Sequence, residues 1–151
     1  MLIQFAFGTL MIVITVVIAT GLMSLAFEAF HIAKKRLFGA HPFARTTATL
    51  SMVTLSIVVA LTVVMWIWAA AVLALGIVPD WEAAIYVTMV AFTTLGGGDP
   101  LLPDRWRLLS GFIGTGGFIL FGLATAFMFE AIADLRRAHR ERRNPGSQEH
   151  H

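Results

Sequence analysis

Cysteine is absent from the 151 residues, which excludes disulfide staples, thiolate metal sites and cysteine nucleophiles. Charge is scarce too: Asp, Glu, Lys and Arg make up 13% of the chain, against 58% hydrophobic residues. A water-soluble domain of this size cannot hide so many apolar side chains behind so few charges, and a disordered chain has the opposite composition. Soluble enzymes with polar clefts drop out, and a mean hydropathy of +0.79 is that of a membrane protein. The apolar runs hold no serine–histidine or histidine–carboxylate set, so an intramembrane enzyme is not expected either.

The charges that are present are sorted. Of the 11 Lys and Arg, Lys34, Lys35, Arg36 and Arg45 share one hydrophilic connection. Arg136, Arg137, Arg140, Arg142 and Arg143 share the tail, leaving Arg105 and Arg107 elsewhere. Both clusters flank long apolar runs, as the positive-inside bias requires. The net charge of +2 therefore reports orientation and contact with membrane lipid, and no nucleic-acid partner is expected. Leu2 to Phe27, Thr46 to about Pro79, and Leu108 to Phe129 carry no charged side chain, and each meets the roughly 20-residue minimum for a spanning helix. With both basic clusters on one side, the N-terminus lies outside, residues 28–45 inside, residues 78–107 outside and the tail in the cytoplasm of a multi-pass cell-membrane protein. The first run lacks a positive start and a small-residue cleavage pattern, so it is expected to remain as a span.

A further apolar stretch, Ala83 to Gly98, ends in three consecutive glycines. Ahead of it, Asp80 reads as an N-cap and Glu82 as an acidic first-turn residue, both favoured at the positive end of a helix. A helix from Trp81 to Phe92 is about 18 Å long at roughly 1.5 Å per residue and cannot span. A short apolar helix followed by glycine-rich backbone, between two full spans, is the pattern of a re-entrant loop. Irregular backbone at membrane depth survives where it is buried in protein or lines a wet cavity.

The string that follows, Thr93-Thr94-Leu95-Gly96-Gly97-Gly98-Asp99, resembles the selectivity filter of the potassium-channel pore-loop family, Thr-Val-Gly-Tyr-Gly-Asp. Thr94 matches the threonine, Leu95 the valine, Gly96 and Gly98 the glycines and Asp99 the aspartate, while Gly97 replaces the tyrosine. Pro103, Arg107, Gly117 and the run Phe121 to Ala126 fall close to the family's later pattern, so the resemblance covers roughly residues 47–130. It implies an all-α membrane protein with three transmembrane helices, a re-entrant pore helix and a filter, assembled as a homotetramer. The division expected is an N-terminal transmembrane helix at 1–30, a basic cytoplasmic connection at 31–46, a pore domain at 47–135 and a basic tail at 136–151. Within the pore domain it implies an outer helix at 47–77, a pore helix at 81–92, a filter at 93–99 and an inner helix at 106–135. It further implies that Thr94, Leu95, Gly96, Gly97 and Gly98 form the ion path. The oxygens of Thr94, Leu95, Gly96 and Gly97 would coordinate potassium as the permeant monovalent cation, with no organic cofactor. Asp99 would stand at the outer mouth, and Gly117, Gly122, Thr125 and Phe129 would supply a gating hinge and cavity lining.

Filter chemistry accounts for these residue types. A cation that sheds its water needs replacement oxygens, and successive carbonyls face one axis where the backbone visits conformations that glycine tolerates. The C-terminal end of the short helix adds partial negative charge. Gly97 offers no side chain to hold the loop, which leaves three expectations: a potassium filter braced by Phe92, Tyr86 and Met89, a looser and poorly selective cation pore, or a filter that rests collapsed. A non-conducting accessory subunit has the same spans. Gly114, Gly116, Gly117 and Gly122 also read as small residues that let helices pack closely, which competes with a hinge at Gly117. Trp81 and Trp106 read as headgroup anchors beside the outer loop. Asp80, Glu82, Asp99 and Asp104 gather on the outer side and would concentrate cations there. If side-chain anchoring limits selectivity, Gly97→Tyr raises the potassium-to-sodium permeability ratio read from reversal potentials. An unchanged ratio would refute the anchoring argument.

Overall fold

In a computed structural model of the chain, the described residues are 2–36, 42–95 and 102–143. They form α1 (Leu2–Arg36), α2 (Pro42–Ala74), α3 (Trp81–Phe92) and α4 (Arg107–Arg143), with a 3-10 turn at Asp104–Trp106 leading into α4. No strand occurs among the described residues. Three helical stretches are long and apolar enough to cross a membrane: Leu2–Ala26, Thr46–Ala74 and Asp104–Asp134.

The long helices overrun the boundaries set by hydropathy. α1 continues through Lys34, Lys35 and Arg36, and α4 continues to Arg143, so much of the connection at 31–46 and of the tail at 136–151 is helical. Lysine, arginine, glutamate and alanine are good helix formers, and charge ends the apolar run without ending the helix. What ends a helix is backbone chemistry. α2 begins on Pro42, a residue suited to the first helical turn, and the last helical residue of α4 is two before Pro145. α2 stops at Ala74 instead of 77 because Gly76 takes φ +64°. The Gly76 N–H then donates to the Leu73 carbonyl at 2.9 Å and the Ile77 N–H to the Val72 carbonyl at 3.3 Å, a Schellman closure that leaves Ile77 buried beneath it.

Packing follows one stripe per helix. α1 buries Met11, Thr15, Ala19 and Met23, and α2 buries Val53, Ile57, Ala60, Val64, Trp68 and Val72, at the three- and four-residue spacing of a single helical face. α1 and α3 each pack against both α2 and α4. The Gln4 side-chain amide donates to the Arg105 carbonyl, the Phe5 and Phe112 rings meet edge-on at 5.2 Å, and Ile12 lies beside Gly116. Positions that advance along α1 thus meet positions that advance along α4, and the two helices run parallel with α2 antiparallel to them. One core, around Trp68, Phe92, Leu109 and Ile113, surrounds α3, and a second, around Met23, Ile57 and Ala131, lies toward the other end.

Large apolar side chains remain exposed on every long helix, among them Leu2, Val17, Leu55, Val59, Phe118 and Phe129. Apolar surface on that scale is untenable in water and ordinary against lipid tails or other protein. Thr20, Thr54, Ser56 and Thr62 on these helices each donate to the carbonyl four residues earlier, at 2.8 to 2.9 Å, so their hydroxyls need no water.

Candidate functional site

α3 is held at both ends by identifiable contacts. At its start, the Asp80 carboxylate accepts from the Ala83 N–H at 2.8 Å, and Glu82 lies in the first turn. Ala84, Val87, Thr88, Ala91 and Phe92 form its buried face. At its end, the Thr93 N–H and hydroxyl both reach the Met89 carbonyl, at 3.0 and 2.7 Å. The Thr94 N–H donates to the Ala91 carbonyl at 3.1 Å. Thr94 closes this turn with φ 55°, in the left-handed region that a β-branched residue enters at a cost of roughly 1–2 kcal/mol. The same task at the end of α2 falls to glycine.

The carbonyl end of α3 rests on a notch in α4. A Cβ added to Gly117 would lie 2.1 Å from the Phe92 carbonyl oxygen, and one added to Gly114 would lie 3.1 Å from the Ala91 carbonyl oxygen. Backbone meets backbone there, leaving no room for a Cβ at 117 and little at 114. The Phe92 ring turns toward Phe121 with centroids 5.8 Å apart. Gly116, between the two notch residues, faces the other way, toward Ile12 of α1 and the Trp68 indole.

A different face of α4 stays open. Gly111, Thr115, Phe118, Gly122, Thr125 and Phe129 are all exposed and recur at alternating steps of four and three. That is the seam spacing of helices that associate side by side. Thr115 and Thr125 turn their hydroxyls back to the Gly111 and Phe121 carbonyls, both at 2.8 Å. An open groove of about 460 Å³ joins this face to the end of α3, lined by Val90, Thr94, Ser110, Gly111, Thr115 and Phe118 among others. A second groove of about 460 Å³, between α2 and the far half of α4, includes Ile57, Leu61, Thr125 and Phe129.

The expected site residues therefore separate into four groups. Thr94 and Leu95 emerge exposed from the end of α3. Gly96, Gly97, Gly98 and Asp99 lie outside the described residues. Gly122, Thr125 and Phe129 share the open face of α4, whereas Gly117 lies beneath Phe92 and is a packing position, its missing Cβ being what lets the helices meet. Of the expected brace, Phe92 is buried while Tyr86 and Met89 are exposed, and Gly97, which the three were expected to hold, lies outside the described residues. The Trp106 ring packs on the core, and its indole N–H is buried without a hydrogen-bond partner. Trp81 is half exposed and stands 6.0 Å from Trp66. Leu102, which sequence reasoning passed over, is buried just before the 3-10 turn; its only signal was an apolar residue between prolines. Among the described residues no three His, Asp or Glu side chains come together.

Compared with known proteins, the chain matches no family model, no curated protein and no solved structure.

Two substitutions test that geometry. Gly117→Ala is expected to destabilise the protein by roughly 1–3 kcal/mol in thermal or denaturant unfolding, because the new methyl must displace backbone. Gly122→Ala, with nothing within 4 Å, is expected to be neutral or slightly stabilising. Equal effects at the two positions would remove the notch. For Thr94→Gly, relief of the left-handed strain outweighs the flexibility that glycine adds, so stability should rise by up to about 1 kcal/mol. A lowered melting midpoint would show that Thr94 is unstrained.

Proposed function

We propose that the chain is one subunit of a homotetrameric cation channel that passes potassium down its electrochemical gradient across a cell membrane. The observation that carries the proposal is the seating of α3. A helix too short to span, capped by Asp80, presses its carbonyl end against Gly114 and Gly117 of a full-length apolar helix. It then delivers the chain through Thr94 and Leu95 into Gly96-Gly97-Gly98-Asp99.

In the proposed channel, four such ends converge on one axis. The C-terminal partial charges of the four short helices face the permeating ion, and main-chain oxygens from Thr94 to Gly98 take over from its water shell. The open face of α4 supports the same arrangement. Its Gly, Thr and Phe residues recur at the seam spacing, and the groove that reaches Thr94 opens onto it. Thr125 and Phe129 then line the cavity below the filter, and copies of the chain meet across the remaining apolar surface. Selectivity depends on main-chain geometry alone at position 97, so discrimination between potassium and sodium is the property most open to modification.

The test is ion flux. Purified protein in liposomes holding a potassium gradient is expected to pass potassium and to be blocked by barium or a quaternary ammonium ion. A protein that carries no cation at any voltage or pH would be an accessory subunit instead. Equal permeability to sodium and potassium would keep the pore and discard its selectivity.

A further inference from the structure

Three consecutive glycines carry no side chains for packing, so the contacts next to them belong to the described residues on either side. The leading limb is α3 on its notch. The return limb begins at Leu102 and is held at successive points. Leu102 is buried in the core, and the Pro103 carbonyl accepts from the Trp106 N–H at 2.7 Å. The Arg105 carbonyl accepts from the Gln4 side-chain amide. The Phe112 ring stands edge-on to Phe5 and lies so close over Gly8 that an added Cβ would come within 2.4 Å of it.

The last two holds come from α1, the span that lies outside the two-helix resemblance. Gln4 is the one amide side chain before Asn144, placed near the start of the uncharged stretch of α1. α1 and α3 also take opposite faces of α4. Phe112 and Gly116 meet α1, whereas Gly114 and Gly117 meet α3, and at about 100° per residue these pairs point away from each other. The first half of α4 is clamped between them.

We infer that α1 is a strap on the return limb and that Gln4 is its positioning residue, holding the Arg105 backbone and so the turn that follows the glycine run. Its effect on ions rests on the channel reading; the strap itself does not. Gln4→Met keeps the length of the side chain and removes the donor, and Phe5→Ala removes the ring contact without touching that bond.

In full-length protein in lipid vesicles, hydrogen exchange over residues 102–110 is expected to quicken about 5-fold in Gln4→Met, the factor that corresponds to a net hydrogen bond of about 1 kcal/mol. Phe5→Ala should act in the same direction, with residues 84–91 of α3 unchanged in both. In the same vesicles, the potassium-to-sodium permeability ratio of Gln4→Met should move toward unity. Unchanged exchange over 102–110 in both variants overturns the strap. Faster exchange with an unchanged permeability ratio, in a protein that conducts, overturns the positioning role of Gln4. Should the native protein carry no current, the channel reading fails by itself and the exchange measurement alone decides the strap.

Discussion

The contact between the Phe92 carbonyl and Gly117 sets the geometry of everything around it. A 12-residue helix is marginal by itself, because its nucleation cost is spread over few hydrogen bonds. Between lipid tails it also gains little from burying apolar side chains, since the tails are as apolar as leucine. Close van der Waals packing has to hold it, and that strengthens as backbones approach. Glycine at 117 permits an approach that a Cβ would prevent, and at 114 one that a Cβ would crowd. The carbonyl end of α3 is thereby positioned by main chain against main chain, with no flexible side chain to yield.

α4 can be understood as a helix with a separate task on each face. Phe112 and Gly116 receive α1, Gly114 and Gly117 receive α3, Leu109, Ile113 and Leu120 fill the core, and the seam from Gly111 to Phe129 stays open. Four glycines between 111 and 117 would be poor helix formers in water, each costing about 1 kcal/mol against alanine. At 114 and 117 that cost is returned as close packing on α3, and at 116 as room for Ile12 and the Trp68 indole. At Gly111 and Gly122, where nothing lies within 4 Å, a single chain offers no return. Both sit on the open seam.

Hydropathy made the three spans and the short helix legible, and the Asp80 cap was legible because its signal is local: one acceptor three residues before an orphan N–H. The helix ends were not. Lys34 to Arg36 read as a solvated connection because they are charged, yet helix continuation depends on propensity and on the absence of glycine or proline. Trp106 read as an interfacial anchor because tryptophan favours that depth on average, while the packing of its ring on the core was not legible, since burial belongs to neighbours that no local pattern reports. Gly117 read equally as hinge or packing residue. The choice depends on what lies opposite it, and Phe92 is 25 positions away in sequence.

Trp68 shows what the core around α3 is built to do. Its side chain is fully buried, and its indole N–H has no acceptor. Thr88 is also buried with an unpartnered hydroxyl, but a hydroxyl can rotate toward a carbonyl of its own helix, as Thr15 does toward Met11 at 2.7 Å. An indole wedged among α1, α2 and α4 has no such freedom. Leaving its N–H unmade costs roughly 1–3 kcal/mol. Leucine would remove that penalty and leave a void, and in a close-packed interior a void lets the surrounding helices shift. Retaining tryptophan beside Gly116, on the reverse side of the α3 notch, trades stability for a rigid backing. The carbonyl end of α3 depends on such rigidity in the helices that hold it.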